Sequence, residues 1–550
     1  MTVKATSDLW WKNAVVYCLD VETFFDSDGD GCGDLAGLTE RVDYLGGLGV
    51  SCLWLMPFYP SPNRDDGYDI VDFFAVDDRV GTLGDLVELV RTARDRGIRV
   101  IADFVMNHTS DQHPWFRSAC ASRDSPYRDF YVWADKKPRE KAGDVVFPDQ
   151  ENSNWAWSDE AGQWYLHRFY SHQPDLNVAN PRVRDEIAQI MGFWLDLGLS
   201  GFRIDAVPFL IEPVGLPKGS IVDPHELLRD LRAYVNRRSG DAILLGEVNL
   251  PAKEGRRFFG DEDGDELHML FDFLANQALY LSLARGDAGP LRKTLRAAPQ
   301  IPDSASMARF VRNHDELSLD KLTDDERAEV FARFGPDEDL QLYGRGLRRR
   351  LPPMLDGDPA AIRMVYSLAF SLPGAAVLFY GEEIGMGENV AIEGRMAVRS
   401  PMQWSAERNG GFSTAEDPKA LLRPVTEGAF GPQHVNVAAQ RRDRDSLLNW
   451  FERLIRRRRE SPEIGFGRLT LLDAGEPSVL AHRCDWEGST IVAVHELAGK
   501  AVEVQIAVDD GEALVDLFSD AEHPLPATLA LPRYGAQWYR VRREGERLPP

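Results

Sequence analysis

Cysteine is scarce in this chain. Five cysteines among 550 residues (Cys18, Cys32, Cys52, Cys120 and Cys484) are scattered, odd in number and form no CxxC pair. That disfavours both a disulfide framework and a thiolate metal site. Long apolar runs are lacking as well, since none approaches the roughly 18 residues of a membrane span. The opening stretch MTVKATSDLWWKNAVVY has no apolar h-region, so no secretory signal is expected. Basic charge is in deficit, with 63 Lys and Arg against 88 Asp and Glu and a formal net charge of −25. Nucleic-acid binding needs a net basic face, and docking on an anionic membrane needs one too. The balance therefore suits a protein without either partner, acting on a neutral or cationic small ligand. The simplest expectation is a reduced, cytoplasmic protein, with a homo-oligomer left open.

What is present is core material. Apolar residues make up 43% and aromatics 10% of the chain, too much for disorder and enough for several domains. Short β-branched or apolar runs recur as AVVYCLD (14–20), VSCLWLMP (50–57), IRVIADFV (98–105) and GFRIDAV (201–207). They continue as AILLGEV (242–248), LHMLFDF (267–273), ARFVRNH (308–314) and AAVLFYG (375–381). Between most of them lie amphipathic stretches such as 83–97 and 183–198. In the latter, Ile187, Ile190, Met191 and Trp194 stand three or four apart and Gly198 suits a helix end. Eight strands alternating with helices predict an α/β fold, a (β/α)8 TIM barrel.

Two segments break the repeat. The stretch after the third strand is too long for one loop and helix and is rich in Trp, Tyr, His and Asp, so it reads as an inserted subdomain. After Arg459 the pattern turns to short alternating strands, which predicts a C-terminal antiparallel β domain of sandwich type. The expected organisation is barrel over 1–106, inserted subdomain over 107–177, barrel again over 178–465 and β domain over 466–550. Within the insert, WAWSDEAGQWYLHRFY (155–170) reads mainly as subdomain core, and RLIRRRRE (453–460) as a solvated helix face.

Barrel active sites lie at the carboxyl ends of the strands. Reading those ends collects Asp103, Asp205, Glu247 and Asp315, with Arg203, His108 and His314 nearby. Several carboxylates converging on one mouth are costly unless paired or used. The chemistry that most directly needs paired carboxylates is glycoside hydrolysis or transfer. Arg203 precedes Asp205 by two residues on one strand, so both point to the same side. Separately, DSDGDGCGD (26–34) sets Asp26, Asp28, Asp30 and Asp34 on a glycine-rich turn, hard oxygen donors that suit Ca²⁺, with the Cys32 carbonyl as a further ligand.

These residues sit in motifs. DFVMNHTS (103–110), GFRIDAV (201–207), GEV (246–248) and FVRNHDE (310–316) resemble the four signature regions of the α-amylase family of glycoside hydrolases. QPDLN (173–177), GVSCLWLMPFYPSP (49–62) and GEEIGM (381–386) resemble further ones. Within the family, RDDGYDI (64–70), HRFYSHQPDLN (167–177) and VRSPMQW (398–404) are similar to the trehalose synthase and α-glucosidase members. The resemblance implies Asp205 as nucleophile, Glu247 as general acid and then base, and Asp315 as the carboxylate that holds and distorts the sugar. It implies that Arg203, His108 and His314 serve the sugar and its nucleophile. It further implies that Asp65 pairs with Arg399 to wall off the terminal-glucose pocket, with Tyr68 stacked on the ring. Family members bind calcium at the 26–34 loop. A second calcium site is implied at Asn107, Asp175 and Glu212 with the carbonyls of Phe209 and Leu210. The implied substrate is a short α-glucoside of maltose or trehalose type, either isomerised or hydrolysed.

Overall fold

The computed structural model describes residues 9–140, 145–212, 214–216, 220–221 and 223–545. Residues 1–8 of the stretch read for a leader lie outside them. The eight predicted runs form eight strands: β1 (Val15–Leu19), β2 (Cys52–Leu55), β3 (Arg99–Phe104), β4 (Gly201–Ile204), β5 (Ile243–Gly246), β6 (Met269–Phe271), β7 (Ser306–Phe310) and β8 (Ala375–Phe379). Each pairs in parallel with the next, and β8 returns to pair with β1 through Val15 and Ala376, closing the barrel. β1, β2, β4, β5, β6 and β8 are buried along their whole length. Runs of Val, Ile and Leu without polar alternation are what a parallel strand covered on both faces requires.

Helices cover the outside for reasons legible in their ends. The helix Leu83–Asp95 opens on a capping box, with Thr82 accepting from the Asp85 amide and the Asp85 carboxylate accepting from that of Thr82. It turns Leu86, Leu89, Val90 and Ala93 inward. The helix Pro181–Asp196 starts on an Asn180 cap with proline in its first turn, where a missing N–H costs nothing. It buries Ile187, Ile190, Met191 and Trp194, and ends at Leu197 before Gly198, whose φ of +106° suits glycine.

The insert between β3 and β4 carries a small antiparallel sheet, with Gln163–Leu166 between Trp133–Ala134 and Trp155–Ser158. Bridges His108–Asp175 and Tyr131–Leu176 tie it to the chain leaving β3. Of its aromatic run, Trp155 and Tyr165 are buried as expected, Trp157 is 47% exposed, and Phe169 and Tyr170 face another aromatic, Phe147. Beyond residue 466 a six-stranded sheet faces a two-stranded one, Val502–Ile506 with Ala527–Leu531. Val479, Val492, Val494, Val504, Ile506, Leu529 and Tyr539 from both sheets share one core. This unit sits on the barrel helix Pro359–Ser371, where Trp538 Nε1 and His495 Nε2 both reach Ser367 Oγ at 2.9 Å.

One expectation fails on the helix Leu447–Arg459. Arg456 and Arg459 are exposed, but Arg458 is fully buried, and its guanidinium donates to the carbonyls of Phe370 and Gly374. A helix that buries Leu448, Phe451, Leu454 and Ile455 on one face carries its 458 position onto that same face three and four residues later. Arg458→Ala leaves two buried carbonyls unpaired. It is expected to cost on the order of 2–4 kcal/mol, read as a lower thermal unfolding temperature.

Candidate active site

The barrel places the strand-end carboxylates around one guanidinium. Asp103 and Arg203 are register partners on β3 and β4. Arg203 Nη1 lies 2.7 Å from Asp103 Oδ1 and 2.6 Å from Asp205 Oδ1, and Nη2 donates to Glu247 Oε2. Asp205 and Glu247 are the residues immediately past β4 and β5, so the strands deliver them side by side. Asp205 is followed by Ala206 in the left-handed region, at φ +47° and ψ 42°. That turn swings the Ala206 amide toward Glu247 Oε2 at 3.4 Å. A non-glycine residue there is strained, and such strain concentrates at functional sites.

Asp103 forms the floor. Wholly buried, it accepts from Trp54 Nε1 at 3.2 Å, from Tyr68 OH at 2.9 Å and from Arg203. It never reaches the pocket, so its work is to fix Arg203 and Tyr68. The Tyr68 ring stacks on His314 with centroids 5.8 Å apart, and its hydroxyl meets His314 Nε2 at 2.8 Å. The same Nε2 lies 3.1 Å from Asp315 Oδ2. Asp315 is further held by Arg395 Nη1 at 2.8 Å and Arg399 Nη2 at 2.9 Å. His108 is buried, with Nε2 at 3.2 Å from the Tyr68 carbonyl and its ring 5.3 Å from Phe169.

Electrostatics separate the carboxylates. Burial pushes Glu247 up to about 7, with Asp205 and Asp315 adding to the push and Arg203 opposing it. Burial raises Asp205 to about 6 against Arg203. Arg203 thus moderates the burial of Asp205 without cancelling it, because one guanidinium is divided among three acids. At Asp315 burial works in the same direction, yet contact with His314, Arg395 and Arg399 outweighs it and holds the carboxyl well below its ordinary range. Burial keeps His108 and His314 far below the ordinary histidine value, so both are neutral hydrogen-bonding groups.

The wall of the pocket differs from expectation. Asp65 does not pair with Arg399. Its carboxylate bonds Arg395 and accepts from Gln173 Nε2 at 2.9 Å, while Arg399 Nη1 bonds the next residue, Asp66. The reason is the backbone, since Asp66 has φ +52° and consecutive side chains therefore splay to different arginines. Arg395 was missed, although it stands only four residues before Arg399. Tyr68 also lies deeper than a residue stacked on a sugar face, being 5% exposed and spent on Asp103 and His314.

The mouth is roofed by residues that sequence reasoning did not single out. Phe147 stacks on Tyr170 at 4.8 Å, lies 5.2 Å from Tyr343 and sits under Arg395 at 5.4 Å. Arg345 Nη2 donates to the Val146 carbonyl at 2.7 Å, fastening the loop after β7 to the insert. On the Glu247 side, Asn249 Nδ2 donates to Asp320 Oδ1 at 2.8 Å. These residues come from loops far apart in the chain, and no local spacing announces them.

The two expected metal loops are assembled to different degrees. Carboxylate oxygens of Asp26, Asp28 and Asp34 lie within 4.8 Å of one another. Asp30 is exposed and accepts from the Cys32 amide at 2.8 Å, and burial raises the Cys32 thiol, leaving it protonated. Asn107, Asp175, Phe209, Leu210 and Glu212 line one cavity of about 20 Å³. Arg168, unforeseen, already stands there, with Nη1 2.6 Å from Glu212 Oε2 and Nε 3.6 Å from Asp175 Oδ2. Even so, burial keeps Asp175 raised to about 7.

A closed parallel barrel with acids from successive strands gathered at its carboxyl end is the architecture of a barrel glycosidase. The chain belongs to the α-amylase family: the family's catalytic-domain model matches residues 20–333 and 349–467. It is 41% identical over 552 residues to the trehalose synthase/amylase TreS of Mycobacterium tuberculosis, covering 98% of this chain and 92% of that one. It is 28% identical to an oligo-1,6-glucosidase of Halalkalibacterium halodurans, over 98% of this chain and all of that one. Among solved structures, the trehalulose synthase MutB from Pseudomonas mesoacidophila superposes with a TM-score of 0.77 at 27% identity, over 97% of this chain and 99% of that one.

Arg203→Met removes the one cation common to three acids, Asp103 and Asp205 buried and Glu247 half-buried. It is expected to cost about 3–5 kcal/mol near pH 7.5. The unpaired carboxyls then have folded values raised above their unfolded ones, so the loss grows as pH rises and shrinks toward pH 5. Thermal melts of wild type and variant across pH 5–8 read this, and a pH-independent difference would contradict it.

Proposed function

We propose that this enzyme processes short α-glucosides with retention of configuration, interconverting maltose and trehalose with some hydrolysis. The observation that carries the reading is the Arg203-bridged pair of Asp205 and Glu247 facing Asp315. Two carboxyls on one guanidinium fit the short spacing, about 5–5.5 Å, of a retaining pair. Asp205 attacks the anomeric carbon as Glu247 gives its proton to the departing sugar oxygen, and the glycosidic bond breaks to leave a glucosyl ester on Asp205. Glu247, now a carboxylate, takes the proton of an acceptor hydroxyl that attacks the same carbon and frees Asp205. Asp315, held ionised, binds hydroxyls of the ring, with contacts that tighten as the ring flattens. His108 and His314 supply neutral hydrogen bonds at the same ring.

The acceptor decides the product. If the released glucose stays and turns its anomeric hydroxyl toward the ester, the product is trehalose. The Phe147, Tyr170 and Tyr343 roof and its Arg345 fastener favour that retention. The curated relatives named trehalose synthase favour it as well. A second reading, an exo-acting α-glucosidase, is favoured by the Glu247 side chain, which remains 25% exposed and within reach of water. Incubation with maltose, and separately with trehalose, followed by NMR of the anomeric protons, separates the two. The other disaccharide is expected from each, glucose alone would establish the glucosidase, and no turnover would sink both. Asp205→Asn is expected to abolish all turnover while keeping the melting temperature of the wild type.

The pair sets the pH dependence. Turnover needs Asp205 ionised, which is gained as pH rises through about 6, and Glu247 protonated, which is lost as pH rises through about 7. A narrow bell in kcat/KM centred between these values is expected, belonging to the coupled pair as a unit. A flat profile from pH 5 to 8 would contradict it.

Calcium fits both loops in donor type. At the first, Asp26, Asp28 and Asp34 with the Cys32 carbonyl and Asp30 would hold it. At the second, Asp175, Asn107 and Glu212 with the Phe209 and Leu210 carbonyls would. The raised value of Asp175 is what a carboxylate short of positive charge shows, even beside Arg168. The ion would supply structural charge only. Chelation is expected to lower the melting temperature and added Ca²⁺ to restore it in proportion to log concentration, with the response weakened in Asp26→Asn and in Asp175→Asn.

A further inference from the structure

Asp66 has no part in the chemistry above, yet it is committed on both oxygens. It is buried, and both its oxygens are taken by arginines, Oδ2 by Arg399 Nη1 and Oδ1 by Arg423 Nη2. Arg423 Nη1 reaches back to Asp20 Oδ2, just past β1, at 3.1 Å and to the Arg399 carbonyl at 3.1 Å. Arg399 spends its other nitrogens on the active site, Nε on the His314 carbonyl at 2.7 Å and Nη2 on Asp315 Oδ1 at 2.9 Å. A buried line of alternating charge thus runs Asp20, Arg423, Asp66, Arg399, Asp315. The oxygens of Asp20, Glu22 and Asp66 also come within 4.8 Å of one another. The place a metal ion would take among them is filled by Arg423, with Arg79 Nη1 on Glu22 at 2.7 Å.

The turn is built for a division of labour. Asp65 anchors Arg395, Asp66 anchors Arg399, and both arginines converge on the same oxygen of Asp315. Two adjacent acids can face different partners because Asp66 is held at φ +52°, a region an L residue enters only where the surroundings over-determine it. An arginine has a long, mobile stem, and its fork is a useful donor only when fixed from behind.

We propose that Asp66, backed by Arg423, is a positioning residue for the reaction: it locks Arg399, which with Arg395 holds Asp315 by Oδ1, so that Oδ2, beside His314 Nε2, faces the sugar in one orientation. This rests on the reading of Asp315 as the carboxylate that holds the sugar. Removing Asp66 leaves Arg399 without its rear anchor, and the fork swings away from Asp315. Because the contacts of Asp315 tighten in the transition state, the loss falls on kcat more than on KM.

The test uses Asp66→Asn, the charge-balanced double variant Asp66→Asn with Arg423→Gln, and Asp66→Gly, which deletes the carboxylate while suiting the left-handed backbone. With an aryl α-glucoside, kcat is expected to fall about 10–100-fold in all three with KM changed far less. The double variant is expected to regain thermal stability lost by Asp66→Asn without regaining rate. A folded variant with kcat within about twofold of wild type, or a double variant whose rate returns along with its stability, overturns the proposal. Crystals of Asp66→Asn or Asp66→Gly decide it without reference to turnover. Arg399 Nη2 is expected beyond hydrogen-bond reach of Asp315, and an unchanged contact overturns the positioning role. A wild-type chain inactive on every α-glucoside refutes the reading of the site instead.

Discussion

The guanidinium of Arg203 is the interaction on which the rest of the site depends. Three carboxylates, from Asp103, Asp205 and Glu247, are drawn out of water at the carboxyl end of the barrel, and one cation answers all three. Desolvating an ion in a low-dielectric interior costs several kcal/mol after relaxation. No single arginine offsets three such costs, and the raised values of Asp205 and Glu247 are the remainder that is left over. That remainder is useful. It spreads the two acids so that one is ionised while the other still holds its proton, the condition for a nucleophile and an acid to work together.

Arginine density elsewhere around the mouth serves the opposite end. Asp315 faces Arg395 and Arg399 together, and each of those is anchored by its own aspartate. Burial is similar at Asp205 and Asp315, yet one is raised and the other lowered. The difference is the company each carboxylate keeps, one guanidinium shared among three acids at the first, His314 with Arg395 and Arg399 at the second. Barrel geometry allows this contrast because the strands fix the first group, whereas loops after β2, β7 and β8 supply the second. The aromatic roof joins one of these loops to the insert, Tyr343 coming from the loop after β7 and Phe147 and Tyr170 from the segment between β3 and β4.

Much of this was legible in the chain. The eight strands announced themselves by short β-branched or apolar runs, and Asp205, Glu247 and Arg203 were readable because a strand's period fixes which side chains share a face. Asp315 was read as a strand end after ARFVRNH (308–314), although β7 stops at Phe310 and Asp315 stands five residues past it on a loop. The illegible parts share a physical cause. Arg395, Arg423, Arg168, Phe147 and Tyr343 act through contacts across long sequence separations, for which no local period exists. The Asp65 to Arg399 pairing failed for a subtler reason. Choosing between adjacent acids requires knowing one φ angle, and nothing in RDDGYDI compels Asp66 rather than Gly67 alone to turn left-handed.

Arg458 completes the point from the stability side. Four consecutive arginines read as a solvated face because charge is rarely buried, yet helical periodicity assigned one of them to the core. The rule that decides such a case is hydrogen-bonding supply. The carbonyl of Phe370 lies in the last turn of a barrel helix and that of Gly374 just before β8, and one buried guanidinium donates to both. Asp66 stands on the acceptor side of such an arrangement, a buried carboxylate that takes one nitrogen from each of two guanidinia. In both places a buried charge is held by more than one buried partner of opposite polarity, Arg458 by two carbonyls and Asp66 by two guanidinia, and the second of these reaches Asp315 through Arg399.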